Sequence, residues 1–351
     1  MTKTILLASV LALLAIRGRA DKADVYLREQ MAKHKIPGAV LKIIQNGRDV
    51  KTCAYGLANL ELNVPTRVDS VFEIGSLTKQ FTATCILLLA QEGKLSVEDR
   101  ITKHLPHTPA AWTNVTIRHL LTHTSGIKSY TGLDGFALTK RLTQAQFIEA
   151  IGAQPMEFQP GESWKYSNTG YSLLGCIVEN VSGKSYWQFL RERIFQPLGM
   201  NATTDRHPGT IITNRVSGYE QTNHVHINRD YDLTDVSSAG AVASTVGDLA
   251  KWNAALDSER ILNARSKMAA WTPQPLNRGT LTKYGFGWFI DEVQGHKNVG
   301  HGGSTSGFSA SVQRFPDDRL TVILLTNIDE QIATTFAKEI ATFYFRNAKS
   351  P

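Results

Sequence analysis

The sequence predicts an α/β protein of the α+β kind, with one antiparallel sheet assembled from both ends of the chain and a mainly helical lobe inserted between them. Three observations point there. Two β-rich runs meet at Asn46-Gly47 near the start, in GAVLKIIQNGRDVKTCAYG. β-character returns only late, in YGFGWFI (284–290), FSASVQRF (308–315) and LTVILLTNI (320–328). The stretch between reads mostly as helix, and strands at both ends of a helical middle are most simply joined in a single sheet.

Taken in order, residues 22–35 suggest an opening helix, and Asn-Gly between two β-rich runs is the strongest short hairpin signal. In the middle, TIRHLLTHTSG, TQAQFIEAIG, NTGYSLLGCIVENVSG, SYWQFLRERIF and TVGDLAKWNAALD each carry helical spacing of apolar residues or a helix end signal. Pro316-Asp317-Asp318 turns the chain between the last two strands, and an amphipathic helix from about 331 to 346 closes it. There is no internal repeat and no low-complexity linker. The organisation expected is a leader over 1–20 and one domain over 21–345. Its sheet lobe comes from about 21–75 and 284–346, its helical lobe from about 76–283.

The leader is read from a basic start, the apolar stretch ILLASVLALLAI (5–16) and small residues at 18 and 20. That pattern predicts a secretory signal cut after Ala20 and a secreted or periplasmic protein. The apolar stretch is short for a membrane span, although retention as an anchor is the alternative. Cutting there removes Lys3, Arg17 and Arg19 and no acid, so a net charge of +7 becomes +4. A mild surplus spread along the chain gives no case for nucleic-acid binding. The odd count of cysteines, Cys53, Cys85 and Cys176, rules out a complete disulfide framework in an exported protein, and buried thiols are expected.

The most informative stretch is FEIGSLTKQFTATCILLLAQEGK (72–94). Phe81, Cys85, Leu88 and Leu89 repeat at helical spacing, with Gly93 as the stop. Lys79 on the first turn of so apolar a helix faces desolvation, which is costly unless it finds partners or loses its proton. Ser76, three residues earlier, shares its face. A hydroxyl beside a nitrogen placed to take its proton is the arrangement of an activated nucleophile. The plainer reading makes Ser76 an N-cap and sends Lys79 to solvent. The tetrad alone decides nothing, since Ser125-Gly126-Ile127-Lys128 repeats it in a stretch that reads as a loop.

Two further motifs give it company. In GESWKYSNTGYSLLG, Tyr166-Ser167-Asn168 precedes an apolar helix. A phenol facing the nucleophile can pass its proton if a nearby ammonium lowers its pKa, and the asparagine amide suits a substrate carbonyl or amide. The alternative has Asn168 capping the helix and Tyr166 packing its ring. In GHGGSTSGFSASVQRF, His301-Gly302-Gly303 leads into a strand, where glycines let a ligand approach the backbone. The amides of Ser304 and Ser76 together would form an oxyanion hole. Lys283-Tyr284-Gly285 is a rival third motif ahead of a different strand.

In this order and spacing the three motifs resemble the active-site elements of the penicillin-recognising serine hydrolases, whose nucleophile motif is Ser-x-x-Lys. Tyr-Ser-Asn resembles the branch of class C β-lactamases, D-Ala-D-Ala carboxypeptidases, related esterases and D-aminopeptidases. The likeness continues through VFEIGSLTKQFTA, HLLTHTSGI, FQPGESWKYSNTGYSLLG, IFQPLGM, AGAVASTVGDLAKW and YGFGW, roughly 25–345. It implies a β-lactamase/transpeptidase-like fold, Ser76 as nucleophile, Lys79 as its activating neighbour and Tyr166 as proton shuttle. Asn168, His301, Gly302, Gly303 and Ser304 would contact substrate, and Tyr130 would wall the cleft. Lysine and tyrosine both stand as the base, titrating as a coupled set.

His119 and His123 lie four apart, a spacing that can chelate metal, but no HExxH and no carboxylate ligand accompany them, and His224-Val225-His226 is weaker still. Neither Gly-x-Ser-x-Gly nor a phosphate-binding glycine pattern occurs. No cofactor, metal or obligate protein partner is expected. One departure matters: His301 stands where many β-lactamases carry lysine. A mostly neutral histidine anchors a substrate carboxylate less well. The irregular segment 203–236 is expected to border the cleft. The sequence thus predicts a serine acyl-hydrolase of small esters or D-amino-acid peptides and amides, with weak β-lactam hydrolysis. The alternatives are a true class C-like β-lactamase or D-Ala-D-Ala carboxypeptidase, and, from another class, a non-turnover penicillin or peptide receptor.

Overall fold

The computed structural model describes residues 21–133, 142–207, 209–223, 225–229 and 237–345. The leader predicted over 1–20 and His224 lie outside them. In chain order the strands are β1 (Gly38–Gln45), β2 (Arg48–Asn59), β3 (Val64–Pro65), β4 (Phe72–Glu73), β5 (Thr204–Asp205), β6 (Tyr219–Thr222), β7 (Val225–Asn228), β8 (Val242–Ser244), β9 (Phe289–Val293), β10 (His296–Thr305), β11 (Phe308–Phe315) and β12 (Leu320–Thr326).

Seven of them form one sheet in the order β3-β2-β1-β12-β11-β10-β9. Its centre joins the two ends of the chain, because β1 pairs antiparallel with β12 from Ala39 opposite Thr326 to Gln45 opposite Leu320. The β1–β2 hairpin turns at Asn46 and Gly47 with φ of 54° and 73°. Both central residues need positive φ in a turn whose twist matches the strands, which is why Asn-Gly sits there.

Both faces of this sheet are covered, so apolar residues of β1 and β12 point to both sides rather than to one. Ala39, Leu41, Ile43, Val322 and Leu324 face the terminal helices Lys22–Lys33 and Ala333–Thr342, packing with Leu27, Phe336 and Ile340. Val40, Ile323 and Leu325 point the other way into the core of the helical lobe. At the centre of that lobe lies helix Thr78–Gln91, buried on every side from Thr78 to Leu89. A helix apolar all round belongs in the middle of a core.

Two predicted elements differ. The strand expected over 284–290 begins only at Phe289, because Gly285 N bonds to Trp288 O and closes a tight turn. The helix read in TIRHLLTHTSG covers Ile117–Leu121 and stops as His123 enters the left-handed region at φ 59°. Leu324 is wholly buried between the sheet and the terminal helices, whereas Leu62 is 76% exposed. Leu324→Ala should therefore cost about 2–5 kcal/mol, and Leu62→Ala about 0.5 kcal/mol or less, as read from denaturant midpoints.

Candidate active site

The Ser76 turn is built by close backbone contact. Beyond β4 the chain passes Gly75 at φ 51° and enters a 3-10 turn, Gly75–Leu77, before the α-helix starts at Thr78. A Cβ on Gly75 would fall 2.7 Å from Ser304 N, and one on Gly303 would fall 2.9 Å from Ser76 N. Only glycines let the end of β10 lie this near the turn, and the approach brings the backbone around Ser304 against that around Ser76. Ser76 caps nothing: the helix has no side-chain cap, so its hydroxyl is free of the plainer role.

That hydroxyl meets Lys79. In its ammonium form Lys79 Nζ donates to Ser76 Oγ at 2.9 Å, to Asn168 Oδ1 at 2.7 Å and to Ala239 O at 2.7 Å. It also lies 4.9 Å from the centroid of the Tyr166 ring and 5.5 Å from that of Tyr171. The side chain is wholly buried, and these three acceptors are neutral oxygens. Burial drives its pKa well below the ordinary lysine value, since a low-dielectric site disfavours the charged form. Once deprotonated, the amine keeps two protons for Asn168 Oδ1 and Ala239 O and turns its lone pair to the Ser76 hydroxyl, whose proton it can then take.

Asn168 is available because Ser167 caps its helix, accepting from Gly170 N at 3.4 Å, while Ser129 Oγ accepts from the backbone N–H of Asn168 at 3.1 Å. Tyr166 is half-buried at the cleft, and its enclosed hydroxyl has no completed hydrogen bond among the described residues. Burial raises the phenol above its ordinary pKa; the nearby Ser76 hydroxyl works against that and loses. The expected lowering by an adjacent ammonium is absent, so the phenol stays protonated.

His301 differs most from expectation. It is 2% exposed, with Nδ1 against Gly302 O and Nε2 2.9 Å from the Tyr284 hydroxyl. A carbonyl can only accept, so Nδ1 carries the proton and Nε2 accepts from Tyr284. Burial, with Lys79 adding to it, pushes its pKa down to about 3. Both ring nitrogens are engaged within the protein, and the imidazole presents neither a cation nor a spare donor. Tyr284, from the rival motif, is thus tied to this site.

The cleft over these groups has a volume of about 640 Å³. Ser76, Tyr166, Asn168, His301, Gly302, Gly303 and Ser304 all line it. Trp164, Phe289, Thr131 and Thr334 line it too and were not singled out from sequence. No lysine or arginine is among its described lining residues. Tyr130 is a correction: it is buried behind the wall, 3% exposed, its amide bonded to Thr169 Oγ1 at 2.9 Å, and Thr131 takes the place expected for it. The described part of 203–236 is also absent from the lining; it contributes the β6–β7 hairpin and Arg206, which pairs with Glu73 Oε1 at 2.7 Å.

The remaining candidates have structural occupations. Ser125 is buried in a loop, its Oγ accepting from Ile127 N at 3.2 Å, far from the role of its namesake tetrad. His119 Nδ1 accepts from Thr116 N at 3.2 Å to complete a capping box, and His123 Nδ1 accepts from Ser167 N at 3.1 Å. The three cysteines are free thiols.

The Beta-lactamase family model matches residues 23–342. The chain belongs to the β-lactamase family. Within it, the chain is 33% identical to penicillin-binding protein 4* of Bacillus subtilis, over 85% of this chain and 69% of that protein. The chain spans about two thirds of the length of the curated relatives it matches. Among solved structures, a D-stereospecific amidohydrolase from Streptomyces superposes with a TM-score of 0.79 at 26% identity, covering 92% of this chain and 98% of the other. The D-amino acid amidase of Ochrobactrum anthropi, complexed with D-phenylalanine, gives 0.80 at 25% identity, covering 92% and 96%. The penicillin-recognising serine hydrolase superfamily and its mixed fold, an antiparallel sheet flanked by helices, are thereby shown, and with them an enzyme of the hydrolase class.

The buried, doubly bonded His301 should stay neutral as the solution is acidified. Its imidazole NMR signals should not move between about pH 8 and pH 5, the range in which an exposed histidine titrates. A midpoint near the ordinary value would mean that Nε2 is open to the cleft.

Proposed function

We propose that this protein is a serine acyl-hydrolase with Ser76 as nucleophile and Lys79 as general base. The observation that carries the reading is the 2.9 Å contact from Lys79 Nζ to Ser76 Oγ, made by a buried amine with a depressed pKa. Neutral Lys79 takes the hydroxyl proton as Ser76 Oγ bonds to the substrate carbonyl carbon. The carbonyl oxygen gains the electron pair and accepts from the backbone amides of Ser76 and Ser304. Tyr166, protonated and beside Ser76, hands a proton to the leaving group as its bond breaks and is refilled from Lys79. Water then attacks the acyl-Ser76 ester by the same steps reversed. Asn168, bonded to Lys79 through Oδ1, keeps its NH₂ for a substrate carbonyl.

The substrate class we propose is a small ester or a D-amino-acid amide or peptide without a carboxylate beside the scissile bond. A cleft lined by Trp164, Tyr166 and Phe289, without a lysine or arginine among its described lining residues, supports uncharged acyl groups. The amidase and amidohydrolase neighbours support the same direction. β-Lactams and D-Ala-D-Ala peptides would then be weak substrates. The likeness to a penicillin-binding protein keeps a second reading, a receptor acylated once and not turned over. Continuous release of p-nitrophenol supports the hydrolase; a burst of one equivalent supports the receptor.

Ser76→Ala should abolish covalent labelling by a fluorescent penicillin or phosphonate and lower turnover by several orders of magnitude, whereas Ser125→Ala should change neither. Labelling that survives in Ser76→Ala would sink the assignment. His301→Lys should shift preference toward nitrocefin over a neutral p-nitrophenyl ester, measured as the ratio of kcat/KM values. A charged hydrogen bond allows roughly 10- to 150-fold, and the low end is expected because Tyr284 and Gly302 O are arranged for an imidazole. An unchanged ratio would move specificity to the aromatic wall.

A further inference from the structure

His123 has no place in the steps above, yet it is buried in the wall of the site. Its loop is laced to the segment that carries Tyr166. Lys165 N donates to His123 O at 3.0 Å, Gly161 N to Thr124 O at 2.8 Å and Glu157 N to Gly126 O at 2.8 Å. From this loop the imidazole reaches two neighbours at once. Its ring lies against that of Tyr166, with centroids 4.2 Å apart and planes tilted by 35°. Its Nδ1 accepts the N–H of Ser167 at 3.1 Å. Ser167 stands between Tyr166 and Asn168 and caps the helix that begins at Asn168.

An Nδ1 that accepts from an amide is unprotonated, so the proton is on Nε2. That nitrogen is buried and has no hydrogen-bond partner among the described residues, packed amid the rings of Tyr171 and Tyr284, whose centroids are 5.1 and 4.6 Å away. A buried N–H left unpaired is unfavourable, as is a left-handed backbone at a non-glycine residue. An asparagine would supply the acceptor and tolerate the backbone, and a phenylalanine would supply the stacked ring. Only histidine supplies ring and acceptor together.

We infer that His123 is a positioning residue that fixes the Tyr166 ring by stacking and, through the Ser167 amide, sets the start of the helix carrying Asn168. The inference rests on the Ser76–Lys79–Tyr166 reading. It also gives His123 a role that uses no metal.

The test compares His123→Phe, His123→Asn and His123→Gln with wild type in p-nitrophenyl ester hydrolysis. Thermal unfolding is measured alongside, and the phosphonate label is located by mass spectrometry. His123→Phe keeps the ring and strands the Ser167 N–H; kcat should fall about 10- to 100-fold, as small misplacements of catalytic groups do, with KM within about twofold. His123→Asn puts its amide oxygen near the position of Nδ1 but gives up the stacked ring, so it should recover part of that loss. His123→Gln carries its oxygen farther out, near Nε2, and should not. A ring needed only for packing predicts the reverse order, with Phe best and Asn and Gln equally poor. In wild type, ¹⁵N NMR should report the Nε2–H tautomer. An Nδ1–H tautomer overturns the inference whether or not any variant folds, and so does a His123→Phe enzyme with wild-type kcat. A wild-type label found away from Ser76 would instead overturn the underlying reading.

Discussion

The site depends on one constraint, the burial of the Lys79 amine among neutral oxygens. Nζ is fully enclosed and reaches Ser76, Asn168 and Ala239, which approach from the same turn, from 89 residues on and from 160 residues on. A buried amine without partners would be intolerable, so two distant stretches must converge on this turn for the helix to keep it. The choice of acceptors matters as much as their number. A carboxylate would relieve the desolvation and raise the amine's pKa, and a lysine so paired would stay protonated and useless as a base. The Asn168 and Ala239 oxygens accept the two N–H bonds of the neutral amine, and the Ser76 hydroxyl can donate to its lone pair, without restoring the proton.

The same dry surroundings settle the neighbours. Burial keeps the Tyr166 phenol protonated and His123 neutral, and Lys79 adds to burial in lowering both His123 and His301. Positive charge on any one of these groups disfavours it on the others, so the cleft is walled by neutral imidazoles and phenols. Recognition there falls to shape, aromatic surface and hydrogen-bond dipoles rather than to an ion pair. That is the physical basis for proposing uncharged acyl substrates, and it does not depend on which base is assigned.

What was legible in the sequence was local or periodic. Asn46-Gly47 specifies its turn within two residues, and the relation of Ser76 to Lys79 follows from a three-residue spacing on one helix. The joining of both chain ends in one sheet was legible because β-rich runs stand at both ends of a helical middle. Non-local placement was not. Tyr284 and His301 are 17 residues apart on different elements, and only the turn closed by Gly285 and Trp288 brings the phenol to the imidazole. Tyr130 is buried, its backbone amide held by Thr169, and Thr131 lines the cleft instead. No periodicity carries either fact. The motif YGFGW was visible, but its hydrogen bond to His301 was not.

The position of His301 shows why chemistry and selection are separable here. Gly75 and Gly303 bring the end of β10 against the Ser76 turn, and this contact between backbones is indifferent to the side chain at 301. The proposed acyl transfer uses the helix side of the cleft, with Ser76, Lys79, Tyr166 and Asn168. β10 contributes an amide from Ser304 and a side chain from 301. Exchanging a lysine for a histidine at 301 therefore leaves the proton path in place and alters what the far wall offers a substrate. In this chain the Tyr284 hydroxyl and the Gly302 carbonyl occupy both imidazole nitrogens, so the wall offers a flat neutral ring. The histidine at 301 is held by its neighbours in a state where it cannot imitate a cation.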